Sequence, residues 1–334
     1  MPERSSYAFL CTVMWTASAL GQIPTESWPL KPPVIPETVK VTADVRYGPN
    51  PQNVLDILEP KAAARGLRPG AIVIHGGGWT GGSRAWVAEL VCLRFIEKGF
   101  VVANVEYRVT REATAPAAVV DVLQAGRWFV ENARRLGVDS RRIVVTGDSA
   151  GGHLALMVGL TPDSAGFGSA VPVHVVVNFF GITDLSGQFE GPNRRSYTVQ
   201  WVPQQPGRSE LARRVSPLTY VRKHLPPILT VHGTADPTVS YSQGLKLTEA
   251  LNAAGARAAL VTVTGGSHGF PRVQTDEIYD QYVWPFLRGT GVLKIRPVPP
   301  KTRSGALSCA PRNRCGFAGE GGRPRRPVSA TPVP

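Results

Sequence analysis

Between Ala71 and Val263 the chain repeats one pattern, a short and largely apolar run followed by a longer stretch with helical spacing. The runs are Ala71 to Ile74, Phe100 to Val105, Ile143 to Val145, Val173 to Phe179, Ile228 to Val231 and Ala258 to Val263. A strand that is apolar on successive residues must be covered on both faces, as in a parallel sheet sandwiched between helices. The intervening stretches supply those helices. Ala85 to Glu97 sets Val87, Leu90, Val91 and Phe95 on one side, Ala117 to Leu136 does the same with Val119, Val122, Leu123 and Phe129, and Gln243 to Ala254 repeats the theme. Ahead of them Thr38 to Tyr47 alternates apolar and polar residues, and Val54 to Leu58 reads as its hairpin partner across Gly48, Pro49 and Asn50. The pattern predicts an α/β domain: a mostly parallel sheet of eight strands, entered by an antiparallel hairpin, with helices on both faces.

The flanks read differently. Residues 1–21 hold Arg4 ahead of an apolar run from Tyr7 to Leu20, the layout of a signal peptide, which predicts an exported protein; without a working leader the protein is cytoplasmic. The run is too short to span a bilayer, and no membrane span is expected elsewhere. A Pro-rich linker follows over 22–37, the catalytic domain is assigned to 38–293, and 184–225 is an irregular, Gly-, Pro-, Gln- and Arg-rich excursion that could cover a pocket. The last segment, 294–334, is dominated by Pro, Gly, Arg and Ser and reads as a disordered tail. That end of the chain also explains the charge. From Gly291 onward nine Lys or Arg face one acid, so +8 of the net +13 lies there, leaving an ordinary body and no specific nucleic-acid site. The four cysteines are too few for a disulfide scaffold and lack the spacing of a zinc site.

Four parts of a nucleophilic site occur in workable order. Gly147, Asp148, Ser149, Ala150 and Gly151 form a G-x-S-x-G pentapeptide between the strand Ile143 to Val145 and the helix-like Gly152 to Gly159, so Ser149 is placed on a sharp strand-to-helix turn. His75, Gly76, Gly77, Gly78 and Trp79 directly follow another strand. Glycines there let backbone N–H groups converge on one point, and Gly77 and Gly78, with Ala150, are the candidate oxyanion donors. His75 itself is assigned a structural role. Of the six histidines, His268 both follows Ser149 and lies in a flexible loop after the last strand, which makes it the candidate base. Asp236, after the strand Ile228 to Val231, is preferred over Asp184 as the acid that orients it.

Taken together, HGGGW at His75 to Trp79, GDSAGG at Gly147 to Gly152, GTADPTV at Gly233 to Val239 and GSHGF at Gly266 to Phe270 resemble the hormone-sensitive-lipase-like carboxylesterases. They are similar above all to the bacterial branch described as BD-FAE, over about Val39 to Leu293. The resemblance implies the α/β-hydrolase fold, a Ser149–His268–Asp236 triad, oxyanion donors at Gly77, Gly78 and Ala150, and no cofactor or metal. The expected substrate is a small ester with a short or aromatic acyl group, acylated polysaccharide included. An amidase, formamidase or small peptidase would use the same triad on C–N bonds. A binding protein on a dead hydrolase frame is the third class, and it usually lacks a triad member. The sequence leaves the oligomeric state open.

Overall fold

The computed structural model describes residues 10–13 and 33–294. The rest of the predicted leader and linker, and the basic tail, lie outside the described residues. One twisted sheet organises the chain. Its strands are β1 (Leu10–Val13), β2 (Val39–Arg46), β3 (Val54–Pro60), β4 (Arg68–Ile74), β5 (Val101–Val105), β6 (Val138–Asp148), β7 (Val175–Phe179), β8 (Ile228–Gly233) and β9 (Ala258–Val263). They run in the order β1-β9-β8-β7-β6-β4-β5-β3-β2. The eight from β2 to β9 are the expected eight, and β1 adds an edge strand parallel to β9. Only the hairpin side is antiparallel, β2 with β3 and β3 with β5.

The apolar runs behave as two-sided strands. In β4, Ile72 and Ile74 enter the core on one face while Ala71 and Val73 enter the core on the other; in β6, Ile143 and Val145 oppose Val144 in the same way. Helix Ala117–Glu131 buries Val119, Val122, Leu123 and Phe129 against the first face, beside helices Ala150–Leu160 and Tyr241–Ala253. Val87, Phe95, Ile278, Trp284 and Leu287 cover the second. Full burial of side chains this size is worth about 1.5–3 kcal/mol each, so the two layers supply the main drive for closing the sheet.

The predicted helix Ala85 to Glu97 is broken in three: Arg84–Val87, a π-helical turn Ala88–Cys92, and Leu93–Glu97. One extra residue in the turn lets Cys92, Phe95 and Ile96 face the sheet while Leu90 and Val91 turn toward a cavity that Val87, at the edge of the same core, also lines. Cys92 is a buried free thiol. His174, inside the apolar run Val173 to Phe179, is exposed and precedes β7, because the ladder begins at Val175. The excursion 184–225 contains helices Ser196–Trp201 and Arg208–Arg214. No helix among the described residues is long and apolar enough to cross a membrane.

Candidate active site

The carboxyl ends of the parallel strands meet at one edge of the sheet, and each delivers one part of the site. β6 ends at Asp148, and Ser149 follows with φ 53 and ψ −119 before helix Ala150–Leu160 begins. A side chain in that left-handed region costs roughly 1–3 kcal/mol and persists only where its neighbours hold it. Here the Ser149 amide donates to Phe179 O at 2.9 Å, and the Ser149 carbonyl accepts from the His153 amide at 2.9 Å. The turn also brings the new helix against the end of β4. A Cβ at Gly151 would stand 2.2 Å from Ile74 O, so this position admits glycine alone.

The loop after β4 is equally constrained. Gly77 has φ 117, and a Cβ there would stand 2.3 Å from Gly81 O. His75 is fully buried, stacked on Tyr107 with ring centroids 4.3 Å apart. Its Nε2 lies 3.0 Å from Glu106 Oε1, and Tyr107 Oη donates to its carbonyl at 3.0 Å. Burial raises the Glu106 carboxyl, but the bonds from His75 and from the Arg84 amide outweigh that and hold it below its ordinary range. This is the structural role expected of His75. Gly77 and Gly78 line the same cavity as Ser149, and Ala150 opens the helix behind it.

The loops that carry Asp236 and His268 are latched to each other. Ala235 N donates to Gly266 O at 3.0 Å, and Gly265 N to Thr234 Oγ1 at 2.8 Å. His268 is thereby suspended between its partners, with Nδ1 2.8 Å from Asp236 Oδ2 and Nε2 2.9 Å from Ser149 Oγ. A carboxylate can only accept, so Nδ1 carries the hydrogen and Nε2 is left to accept from the serine. Asp236 Oδ1 takes the amides of Thr238 and Val239 at 2.8 and 2.9 Å, and His232 Nε2 stands 3.5 Å from Oδ2. Burial pushes this carboxyl up. The hydrogen bonds from His232 and His268 and the Val239 amide prevail, holding it well below the usual carboxylate range. Asp184, the other acid considered, accepts from the Ser186 amide and shares no bond with His268.

The structure therefore brings Ser149, His268 and Asp236 into one hydrogen-bonded series beside Gly77 and Gly78. Sequence reasoning missed two further groups. Tyr197, in the irregular excursion, lines the cavity and donates to Thr238 O at 3.0 Å. His153, four residues beyond Ser149, is fully buried: its Nδ1 accepts the Trp79 indole N–H at 3.2 Å and its Nε2 donates to Val215 O at 2.7 Å. Its spacing of one helical turn after Ser149 is the signal the sequence offers for it. Among the described residues no cluster of His, Cys, Asp or Glu is placed to hold a metal.

Burial lowers His153 to about 4. The unfolded chain takes up this proton near its ordinary value of about 6.5, where the folded one does not, so stability is lost as pH falls from that value toward 4. The loss amounts to about 3 kcal/mol. Asp148 opposes it, because burial raises that carboxyl above its ordinary range and stability returns as it protonates. Urea unfolding at pH 7 and pH 4.5, compared with His153→Asn, isolates the histidine: the variant is expected to lose markedly less stability on acidification. Equal losses in both proteins would rule out the neutral buried histidine.

The sequence model of the BD-FAE family matches residues 55–251. Esterase LipC of Mycobacterium tuberculosis is 30% identical over 241 residues, covering 68% of this chain and 59% of LipC. Matches to the first curated relatives span 59% to 66% of their lengths. Among solved structures, a truncated carbohydrate esterase from gut microbiota superposes with a TM-score of 0.68 at 26% identity, over 78% of this chain and 99% of that one. Thermogutta terrifontis esterase 2, phosphonylated by sarin, gives 0.67 at 26% identity over 78% and 99% of the two chains.

Proposed function

The chain belongs to the BD-FAE family of α/β-hydrolases, and on that premise we propose that it is a serine carboxylesterase cleaving small carboxylic esters through an acyl-enzyme on Ser149. The observation that carries the reading is the series Ser149 Oγ–His268 Nε2 at 2.9 Å and His268 Nδ1–Asp236 Oδ2 at 2.8 Å. His268 takes the serine proton as Oγ attacks the carbonyl, and Asp236 stabilises the imidazolium that forms. The amides of Gly77, Gly78 and Ala150 receive the oxyanion, each such donor being worth about 10²- to 10³-fold in rate. His268 returns its proton to the departing alcohol, and water, activated by the same imidazole, releases the acid. Related esterases support this reading; the esterase phosphonylated by sarin bears the chemistry of an organophosphate on a protein of the same fold.

The acyl group enters a cavity of about 410 Å³ whose inner wall is apolar, with Val87, Leu90, Val91 and Phe179 facing it. A volume at the small end of ligand pockets suits short-chain or single-ring acyl groups. With p-nitrophenyl acetate, butyrate and decanoate, hydrolysis is expected on all three, with kcat/KM for butyrate exceeding that for decanoate at least about tenfold, as carbons beyond the pocket's length must bend back or displace its wall before the carbonyl reaches Ser149. Folded protein inert on every ester but active on formyl amides would move the assignment to C–N bonds. An ordering that favours decanoate would overturn the short-acyl assignment.

A further inference from the structure

The reaction above needs the amides of Gly77 and Gly78 to stay aimed at the oxyanion, and three glycines in four residues give that loop little stiffness of its own. What stiffens it is Trp79. This residue has φ 58, a left-handed conformation that a bulky side chain adopts only where contacts over-determine it. Its carbonyl accepts from Thr110 N at 2.7 Å and Thr110 Oγ1 at 2.9 Å. Its ring is fully buried and stacks on Trp201 with centroids 4.1 Å apart. Its indole N–H reaches His153 Nδ1 at 3.2 Å.

The geometry points to His153 as a positioning residue for the oxyanion loop, one that fixes Gly77 and Gly78 against Ser149 by accepting the Trp79 N–H. An indole can only donate, so Nδ1 must be the bare nitrogen and Nε2 must carry the hydrogen, which it gives to Val215 O at 2.7 Å. His153 sits one turn into the helix that starts at Ser149, and its own amide donates to the Ser149 carbonyl. The nucleophile turn and the oxyanion loop are therefore joined through one ring. The other nitrogen ties the same ring to Val215, at the end of helix Arg208–Arg214 in the covering excursion. Only the first link acts on the oxyanion donors. Without it the loop keeps its fold but loses the bond that sets the depth of the Trp79 ring, and with it the direction of the two amides. Displacements of about 1 Å at such a site cost on the order of 100-fold in rate.

The inference rests on Ser149 being the nucleophile, and the two can fail separately. An asparagine oxygen can replace Nδ1 but leaves Val215 without its donor, while a glutamine nitrogen can replace Nε2 but leaves the Trp79 N–H without an acceptor. Full-length protein is assayed on p-nitrophenyl butyrate, with each kcat normalised to the serine titrated by an organophosphate. His153→Leu and His153→Gln are expected to lose about 10- to 100-fold in kcat with KM shifted less than about threefold, as for an interaction made only in the transition state. His153→Asn is expected to recover most of that loss, and Trp79→Phe to reproduce it. The Trp79→Phe/His153→Leu double variant should then fall little further than either single variant. Equal kcat per titrated site in His153→Leu and wild type, or Asn and Gln losing equally, would overturn the proposal. Wild-type protein that neither titrates nor turns over ester would refute the esterase reading instead.

Discussion

Ser149→Ala is expected to reduce kcat on p-nitrophenyl butyrate by about 10⁵- to 10⁶-fold while leaving the fold intact, the scale seen when a nucleophilic serine is removed from a comparable triad. The size follows from what remains. The oxyanion amides and the cavity still bind the ester, but no atom of the protein is left to form the acyl intermediate. The fold should survive because the change removes a single oxygen. Alanine keeps the Cβ that serine already tolerates at φ 53, and the amide bond to Phe179 and the carbonyl bond from His153 belong to the backbone. Among the described residues the oxygen removed bonds His268 Nε2, which faces the cavity. Thermal melting within a few degrees of wild type, beside the rate loss, is the expected pair of results. A variant retaining a tenth of wild-type turnover would exclude Ser149 as the nucleophile.

The framework and the meeting of Ser149, His268 and Asp236 were legible because each depended on a rule with a short reach along the chain. Ala71 to Ile74 and Ile143 to Val145 announce two-sided strands by being apolar on every residue, and β4 and β6 do alternate between the two cores. Ser149 and the glycines around it are read from steric need: Gly151 would meet the Ile74 carbonyl if it carried a Cβ. Asp236 could be preferred to Asp184 because the loops after β8 and β9 leave adjacent strands, and neighbouring strand ends bring their loops together. Strand limits shifted by a few residues. The ladder extends β6 back to Val138 and starts β7 only at Val175, since hydrogen bonding with neighbours and not apolarity sets where a strand stops.

The second layer of the site was not legible, and the reason is physical. Glu106 holds His75, His153 holds Trp79 and Tyr197 bonds Thr238, pairs separated by 31, 74 and 41 residues. A polar side chain that is satisfied by a distant partner leaves no periodicity around itself. The π-helical turn at Ala88–Cys92 was hidden for a related reason. Val87, Leu90, Val91 and Phe95 fit a regular helix, yet the cavity and the sheet claim different members of that set.

Asp236→Asn is the second change with a very large expected effect, about 10⁴-fold in kcat, and its cause can be followed atom by atom. Asp236 Oδ1 accepts two amides, from Thr238 and Val239, so an asparagine there keeps its oxygen on that side. Its NH₂ group then faces His268 Nδ1 and His232 Nε2, donor against donor. His268 escapes by moving its hydrogen to Nε2, and the nitrogen that should receive the serine proton is no longer bare. Binding need not suffer, so KM should move little. The carboxylate held low by its hydrogen bonds also contributes stability, present above its unfolded value of about 3.9 and lost only as pH falls through the lower folded one. Asp236→Asn should therefore melt earlier than wild type at pH 7, with the difference shrinking in acid. Asp184→Asn is the control. Its carboxylate meets the Ser186 amide and no group of the triad, so its kcat should stay within about threefold of wild type, as for a loop residue remote from the chemistry. Comparable losses at the two aspartates would mean that neither works through His268, and the hydrogen-bonded series would lose its catalytic meaning.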